Sequence, residues 1–307
     1  MIVNQLKEVQ LVTESRAVKL DSATQTLQRY DRTVYVEEPT TIQLLGSGEA
    51  YVEALKFFTL FPDAERIEIE PNFVKLTLKN KAEYKLPMMD VRWEKNELPA
   101  QFNLKNSINI KLARGRLTSA TLKNLANPML QCIYMDQDSG VSCNSMVACI
   151  DGTTLPAQPI LLPPDIVLLM EGKESQLEII GQNFVVRIEE AFVVCAIPQY
   201  DYSRTADVLR KSLPKTITKY PIGFLFDAVR RLSAFGDFLS FDGEKVIVKD
   251  NFEPFKFLSA IPKFKYGAQY LLTIIPQVTH IAQSEFALLL YGDNFLFMIS
   301  PEEEEEK

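Results

Sequence analysis

The stretch SQLEIIGQNFVVRIEE, residues 175–190, alternates apolar and polar residues on both sides of a short turn. Such alternation around a turn is typical of a β-hairpin. Two other stretches share the pattern, ERIEIEPNFVKLTLKN at 65–80 and SEFALLLYGDNFLFMI at 284–299. Each stretch contains an Asn-Phe pair, and the phenylalanines at 73, 184 and 295 are 111 residues apart in both intervals. We therefore interpret the chain as three copies of one module.

Each module also contains a pattern of helices. A short amphipathic segment precedes each hairpin, at 50–58, 164–170 and 268–278. Modules 2 and 3 carry a second helix and hairpin upstream, which makes each module a duplicated unit of one helix followed by strands. These upstream elements are a helix at 117–126 and a hairpin turning at 136–140 in module 2, and a helix at 224–235, a hairpin turning at Asp242-Gly243 and a strand at 255–262 in module 3. Module 1 begins too close to its second helix for a full first helix, so we expect that helix to be shortened or missing.

Polar and charged stretches separate the modules, near 91–103 and 199–215. They predict three domains and a tail: residues 1–95 as domain 1 with a shortened first half, 96–203 as domain 2, 204–301 as domain 3, and 302–307 as an acidic tail. Residues 302–306 are five consecutive glutamates, and a block of like charge is typical of a solvated segment.

Composition limits the class of protein. The hydrophobic share of 47% and charged share of 24% fit an ordinary globular chain. The chain shows no apolar run long enough for a membrane helix and no basic, then apolar, N-terminal signal, so we expect it in the cytoplasm, or in the host cytoplasm if a phage encodes it. The net charge of −7 does not exclude DNA, because positive and negative residues can lie on different surfaces. The four cysteines form no CxxC pair and are expected to be small buried residues.

Catalytic and metal-binding motifs are missing from the sequence. The single histidine, His280, lies between a predicted helix and a strand, and no phosphate-binding loop, nucleophile elbow or HExxH motif is present. Residues 136–140 begin like a calcium loop, but Val147 occupies the position where that loop requires a glutamate, so a hairpin turn is the better interpretation. We expect no enzyme activity, no catalytic residue, no metal and no cofactor.

Three copies of a doubled helix-and-strand unit in an acidic chain resemble the bacterial-type DNA sliding clamp, the β subunit of the replicative DNA polymerase, in a phage-encoded or divergent version. The resemblance covers roughly residues 40–301. It is carried by KLPMMDVRWEKNELP at 85–99, by residues 159–204 with their closing QYDYSR, and by residues 269–301. The resemblance implies an α+β fold of three clamp modules with sheets outside and helices inside, closed into a head-to-tail dimeric ring.

The resemblance also implies a function, partners and two kinds of site. The function is that of a polymerase processivity factor, which encircles double-stranded DNA without sequence preference, is placed there by a clamp loader and holds the replicative polymerase through an apolar peptide pocket. The implied DNA-facing residues are Lys56, Arg114, Arg116, Lys123, Lys215, Lys219, Arg230, Arg231, Lys263 and Lys265. The implied pocket residues are Cys143, Asn144, Ser145, Met146, Val147, Thr205, Leu209, Phe297, Met298, Ile299 and Pro301.

Two other classes of protein remain open from the residues alone. A β-rich virion or tail protein built from repeated modules would share the pattern without encircling DNA. A trimeric clamp of the eukaryotic or archaeal kind is disfavoured, because it needs two modules in each chain rather than three.

Overall fold

A computed structural model describes residues 1–5, 16–31, 33–91, 93, 104–120, 128–155, 158–255 and 264–302. The strands described are β1 Ala17–Asp21, β2 Thr26–Tyr30, β3 Val34–Pro39, β4 Leu44–Gly46, β5 Glu49–Glu53, β6 Ala64–Ile69, β7 Phe73–Leu78, β8 Glu83–Pro87, β9 Ile108–Lys111, β10 Ile133–Met135, β11 Gly140–Cys143, β12 Val147–Asp151, β13 Ile160–Leu162, β14 Glu174–Ile180, β15 Asn183–Ile188, β16 Ala191–Ala196, β17 Tyr220–Pro221, β18 Phe238–Phe241, β19 Lys245–Val248, β20 Asn251–Pro254, β21 Tyr266–Gly267, β22 His280–Gln283, β23 Leu288–Tyr291 and β24 Phe295–Ile299. The helices described are α1 Ala54–Leu60, α2 Arg116–Ser119, α3 Pro164–Met170, α4 Ser203–Lys211, α5 Leu225–Leu232 and α6 Ala268–Ile274. None of the helices in these ranges has the length and apolar character needed to span a membrane.

Residue spacing explains why these elements form. In β7, Val74, Leu76 and Leu78 are buried while the residues between them are half-exposed, so the strand presents one apolar face to a core. In α5, Leu225, Ala228, Val229 and Leu232 are buried at intervals of three and four residues. This spacing places all four on one side of the helix and leaves its charged residues on the other.

The chain divides into two compact units. Unit 1 consists of residues 1–112 and 165–198, and unit 2 of residues 113–164 and 199–307. Unit 1 contains an eight-stranded sheet in the order β5-β1-β2-β3-β16-β15-β14-β9 and a four-stranded sheet in the order β4-β6-β7-β8. Unit 2 contains an eight-stranded sheet in the order β13-β10-β11-β12-β24-β23-β22-β17 and a four-stranded sheet in the order β20-β19-β18-β21.

Each eight-stranded sheet joins strands from two consecutive modules. In unit 1 the antiparallel pair β3·β16 makes the junction, and in unit 2 the pair β12·β24 makes it. Because strands of one sheet lie about 5 Å apart, contacts group the chain by sheet rather than by module. The module boundaries near residues 95 and 203 therefore stay a prediction.

The modules repeat in detail. Helix α1 follows Glu53, with φ −62° and ψ 118°, and helix α6 follows Gly267, with φ −61° and ψ 119°. Both helices continue into a 3-10 turn with a proline, Phe61–Asp63 and Ile275–Gln277. The α+β fold of repeated modules is confirmed.

The equal spacing of the Asn-Phe pairs is nevertheless misleading at the third copy. The first two pairs lie at the turns before β7 and β15, the middle strands of their groups, whereas Asn294-Phe295 lies before β24, the last strand. In chain order, β8, β16 and β24 are counterparts, and they are followed by Pro87, Pro198 and Pro301, or end on them. Turn residues recur at every hairpin, so the sequence pattern aligns β24 with β7 and β15, although β23 is their counterpart.

Several sequence-based bounds need correction. Residues 50–53 of the expected helix at 50–58 belong to β5, which pairs with β1 along its whole length. A strand is observed at Asn251–Pro254, whereas the strand expected at 255–262 falls, apart from Phe255, on residues that lie outside the described ranges. Of the helix expected at 117–126, Arg116–Ser119 is observed, and residues 121–127 are not described. The polar stretch 199–215 contains α4, a helix that the sequence analysis treated as linker.

The described N-terminus of module 1 contains a 3-10 turn, Val3–Gln5, and the shortened first helix expected for this module falls on residues 6–15, which lie outside the described ranges. Ile2 and Val3 are 1% and 0% exposed, and the turn contacts β2 and β3. The Val3 amide donates a hydrogen bond to Glu38 Oε2 at 3.0 Å. The turn therefore packs against β2 and β3.

Candidate functional site

The eight-stranded sheet of unit 2 has different neighbours on its two faces. Helix α2 contacts β11 and β12 on one face, where Ser142 Oγ donates to the Leu117 carbonyl at 2.7 Å. The other face packs against Tyr202 and helix α4. Tyr202 stacks on Tyr134 at 5.9 Å between ring centroids, with 13° between the planes. We call this second face, with the residues packed on it, the α4 cluster.

The α4 cluster contains a thiol–phenol contact. Cys143 Sγ and Tyr202 Oη are 3.0 Å apart, and both side chains are buried. Burial raises the pKa of each group, so both stay protonated at neutral pH and one can donate to the other. The four cysteines are all free and buried, as expected, and burial raises the pKa of Cys132 to about 11.

Three of the predicted pocket residues belong to this cluster or pack against it. Cys143 and Met298 belong to its buried part, and Leu209 of α4 packs against it. Thr205, also on α4, and Pro301, which follows β24, are half-exposed.

The turn at 144–146 positions the predicted hairpin wall. Asn144 Oδ1 accepts hydrogen bonds from the amides of Met146 and Val147, each at 2.7 Å. The Ser300 amide donates to the Met146 carbonyl at 2.8 Å, which ties the turn to the end of β24. Ser145 is exposed at the tip.

The structure does not bring three of the predicted pocket residues to this face. Val147, Phe297 and Ile299 are 1%, 0% and 0% exposed. They alternate along β12 and β24 with Ala148, Leu296 and Met298, which belong to the α4 cluster. Phe295, two residues before Phe297, lies under the Arg116 guanidinium of α2 at 4.0 Å from the ring centroid. Because side chains two residues apart share a face, these three residues pack on the α2 side.

Other cluster residues were missed by sequence reasoning. Tyr134, Ala148 and Leu296 are buried in it, and Leu213, Ile217 and Tyr291 are partly buried against it. Strand alternation was the available signal: once Met298 is placed on a face, Leu296 and its cross-strand partners Ile150 and Tyr291 follow. Leu213 and Ile217 follow α4; Leu213 lies within the stretch at 199–215 that is predicted to separate modules 2 and 3, and Ile217 lies just after it.

An ion pair fastens the C-terminal end of α4 to the sheet. Arg210 Nη1 and Nη2 donate to the two carboxylate oxygens of Asp136 at 2.8 Å each, and Arg210 Nε donates to Ser139 Oγ at 2.9 Å. Asp136 also accepts from the amides of Asp138 and Ser139, which confirms the predicted hairpin turn. Burial alone would raise the Asp136 pKa, but the Arg210 and amide hydrogen bonds outweigh it and hold the pKa below its ordinary value.

We expect Arg210→Met to lower the free energy of unfolding by about 2 kcal/mol at pH 7, because the charged hydrogen bonds are lost while much of the side-chain packing is kept. A lowered carboxyl pKa stabilises the folded state above the unfolded value of about 4, and this contribution disappears as pH falls through the folded pKa. Urea unfolding should therefore show a smaller difference between the two proteins at pH 3 than at pH 7. Arg204→Met, an exposed position on the same helix, is the control. An equal difference at both pH values would assign the effect to packing.

The predicted DNA-facing residues differ in whether they form ion pairs within the chain. Among described residues, Arg114 and Lys215 are exposed and form no ion pair. Lys56 pairs with Glu53 at 2.5 Å, and Arg230 with Asp227 at 3.1 Å. Exposed pairs of this kind contribute little to stability, so these cations can exchange partners at small cost.

The remaining cations are held more firmly. Arg231 donates to Glu253 through Nε at 2.7 Å and Nη2 at 3.1 Å, and this lowers the Glu253 pKa. Arg116 pairs with the buried Asp151 at 3.4 Å. Lys219 Nζ lies 3.8 Å from the centroid of a tyrosine ring, Tyr291.

Three lysines remain of the predicted DNA-facing set, and the single histidine lies apart from them. Lys265 is half-exposed and accepts a backbone hydrogen bond from Glu302 at 2.8 Å. Lys123 and Lys263 lie outside the described residues. His280 is exposed at the start of β22, and its Nδ1 is 3.0 Å from Thr279 Oγ1. In the described part of the chain, no group of three or more His, Cys, Asp or Glu side chains has the geometry to hold a metal.

Comparison with known proteins identifies the fold. No protein-family model and no curated protein sequence matches the chain. The DNA polymerase III subunit beta of Borrelia burgdorferi, solved with a natural product, aligns over 97% of this chain and 93% of its own with 14% identity and a TM-score of 0.71. The DNA polymerase III beta chain of Streptococcus pneumoniae covers 98% and 95% with 13% identity and a TM-score of 0.72. The Helicobacter pylori beta clamp bound to a DNA ligase peptide covers 98% and 95% with 12% identity and a TM-score of 0.68.

The chain therefore has the fold of the DNA polymerase III beta subunits, the sliding clamps, over nearly its whole length. At 12–14% identity the likeness concerns the fold, and the activity has to be argued from the residues of this chain.

Proposed function

We propose that this protein is a sliding clamp: a processivity factor that closes into a head-to-tail homodimeric ring around duplex DNA and tethers a replicative DNA polymerase. The observation that carries the proposal is the pairing rule of its sheets. Strand β16 pairs with β3 and strand β24 pairs with β12, and both pairs are antiparallel. In each case the last strand of one module pairs with the last of three consecutive antiparallel strands of another module, which are β1–β3 in module 1 and β10–β12 in module 2.

Under this pairing rule, one last strand and one partner strand remain without each other's contact within the described part of a single chain. Strand β8 is the last strand of module 1, and β20 is the last of the three consecutive antiparallel strands β18–β20 of module 3. Among the described residues, each ends a four-stranded sheet. Unpaired edges of this kind favour association with another chain. Two copies that pair β8 with β20 in both directions would form two further eight-stranded sheets and close six modules into a ring.

A closed ring needs only weak contacts to stay on DNA. The exposed cations Arg114 and Lys215 and the exchangeable Lys56 and Arg230 suit phosphate contacts that carry no sequence information. The net charge of −7 argues against tight binding to the outside of a duplex, because such affinity depends on many lysine and arginine contacts. A ring that is held on DNA because it encircles the duplex is consistent with both the small number of exposed cations and the negative net charge.

The α4 cluster supports the second half of the proposal, a pocket for an apolar peptide. Its partly buried rim includes Leu209, Leu213, Ile217 and Tyr291, and Met298 lies beneath them with a side chain that adapts to different ligands. The Helicobacter pylori beta clamp was solved bound to a DNA ligase peptide, which supports a peptide site on a protein of this fold. We assign the replicative polymerase and the clamp loader to this pocket in the present chain.

The test of the ring uses a nicked circular plasmid, the cognate clamp loader and ATP. We expect the loaded protein to co-elute with the plasmid in gel filtration and to lengthen primer-extension products of the cognate polymerase. Cutting the plasmid once with a restriction enzyme should release the protein, because a ring slides off free ends. Plasmid that is mock-treated is the control. Protein that stays on the cut plasmid as well as on the intact circle would refute encirclement.

A further inference from the structure

One row of cross-strand partners runs over the eight-stranded sheet of unit 2 on the face of the α4 cluster. From β13 to β24 the successive partners in this row are Leu161, Tyr134, Val141, Ile150 and Leu296. All of them belong to the α4 cluster or pack against it. The row continues with Tyr291 on β23 and His280 on β22. Because partners in antiparallel strands point to the same face, Tyr291 and His280 extend this face beyond the apolar part of the cluster.

A lysine lies at this end of the row. Lys219 Nζ is 3.8 Å from the centroid of the Tyr291 ring, and the lysine is exposed. Within the described ranges it forms no ion pair, although Asp293 is exposed in the turn after β23. Lys219 was predicted to face DNA, but its amino group lies on the α4 side of the sheet, and helix α2 packs on the other side. The lysine is therefore better placed to serve the pocket than to contact DNA beside α2.

Tyr291 and His280 add hydrogen-bond donors next to the lysine. Burial raises the pKa of the half-buried Tyr291 phenol, so the hydroxyl stays protonated at neutral pH and can donate. His280 is exposed and contacts Thr279 Oγ1 through Nδ1, at 3.0 Å. Among the described residues, neither Tyr291 Oη nor His280 Nε2 has a hydrogen-bond partner. An ammonium group beside such donors forms strong, charge-assisted hydrogen bonds with a carboxylate.

The apolar part of the row indicates what carries the carboxylate. A small free anion would use the Lys219 end alone and leave the surface of Ile150 and Leu296 unused, whereas a peptide with apolar and acidic side chains would use both. The row also continues past Tyr291 to His280 and its partner Pro221, both of which are exposed. A bound chain therefore has room to run on beyond Lys219, which favours the carboxylate of a side chain over that of a chain terminus.

We propose that Lys219, together with Tyr291 and His280, selects partner peptides for the α4 cluster by binding an aspartate or glutamate side chain next to their apolar anchor residues. This inference rests on the peptide pocket proposed above and specifies which peptides enter it. The selection is local, because the net charge of −7 repels an acidic peptide at a distance. Only contacts at the site can reverse that preference.

The test compares two peptides that differ in charge alone. Both carry an N-terminal fluorophore and a C-terminal amide, and their sequences are Glu-Leu-Leu-Phe-Glu and Gln-Leu-Leu-Phe-Gln. A glutamate at each end allows either chain direction to reach Lys219. Anisotropy with the intact protein at low salt should show that the acidic peptide binds about 3- to 10-fold more tightly. Attraction by net charge alone would give the opposite order.

Two lysine variants assign the preference to the site. Lys219→Met removes the ammonium group and keeps an unbranched side chain over the Tyr291 ring. It should bring the two peptides to equal affinity and leave binding of the Gln peptide nearly unchanged. Lys245→Met is the matched control, because Lys245 Nζ lies 4.3 Å from the Phe252 ring centroid on the other sheet of unit 2. This variant should keep the preference for the acidic peptide, and high salt should reduce that preference.

A third variant separates failure of this inference from failure of the pocket. Leu209→Ala should weaken both peptides by a similar factor, because it removes apolar contact that they share. If that happens but the unmodified protein binds both peptides equally, or Lys219→Met keeps the preference, the inference is overturned and the pocket stands. If Leu209→Ala affects neither peptide, the α4 cluster is not the peptide site and both proposals fail. A Gln peptide with a free C-terminal carboxylate that matches the acidic amide would overturn the assignment to a side chain.

Discussion

Tyr84→Asp should convert the proposed dimer into monomers and abolish retention on circular DNA. Tyr84 lies on β8 and is 44% exposed in the single chain. It pairs across the sheet with Leu76, and Leu86 on its own strand shares its face and is buried. In the proposed pairing of β8 with β20 of a second copy, the tyrosine would lie beside the side chains of β20 on the same face of the sheet and would lose its exposure. An unpaired carboxylate at that place costs about 3 kcal/mol, which corresponds to a change of about 150-fold in affinity per contact.

The effect on the single chain should be small, because Tyr84 is exposed there and surface substitutions usually change stability by about 0.5 kcal/mol or less. Sedimentation equilibrium gives the mass, and thermal unfolding checks the fold. Phe286→Asp, on the turn between β22 and β23, introduces the same charge at an exposed aromatic residue away from both edges and should leave a dimer. A dimeric Tyr84→Asp variant would place the subunit contact elsewhere and remove the main support for the ring.

Leu209→Ala should weaken binding of the cognate replicative polymerase by about 10- to 30-fold. Leu209 packs on the α4 cluster while its neighbour Val208 is 59% exposed. Truncating an anchor residue in an apolar pocket commonly costs about 1.4 to 2 kcal/mol of binding free energy. Surface plasmon resonance with immobilised clamp measures the affinity directly.

Val208→Ala is the matched control, since it shortens an aliphatic side chain on the same helix without touching the cluster. Both variants should keep the dimer and its retention on circular plasmid, because the α4 cluster is separate from β8 and β20. Equal polymerase binding by the two variants would exclude the α4 cluster as the polymerase site.

The sequence was sufficient for the repeated α+β fold, because strand alternation and helix spacing are local properties of the chain. It was insufficient for register. The third Asn-Phe pair belongs to the last hairpin rather than the middle one, since turn residues do not distinguish one hairpin from the next. A shift of one residue on β24 exchanges Phe297 and Ile299 for Leu296 and Met298, and only the observed pairing with β12 decides between them.

Helix α4 shows a second reason why the sequence-based prediction and the observed structure differ. Its sequence is mostly polar, because Ala206 and Leu209 are the main residues that it turns towards the sheet. What holds it in place is non-local: Tyr202 stacks on Tyr134, and Arg210 reaches the Asp136 carboxylate across 74 positions of sequence. Such pairs are invisible until the chain is folded. The DNA-facing cations were named from proximity to helices, and their engagement with Glu53, Asp227 and Glu253 could not be inferred from spacing alone.

The division of module 2 between two sheets has an evolutionary consequence. Its last strand, β16, completes a sheet with module 1, and its strand β12 completes a sheet with module 3. A gene fragment encoding module 2 alone would lack a neighbour at both borders. Such a chain can gain or lose a module only together with a compensating change in the neighbours, so descendants of this architecture are constrained to inherit the three modules as a linked set.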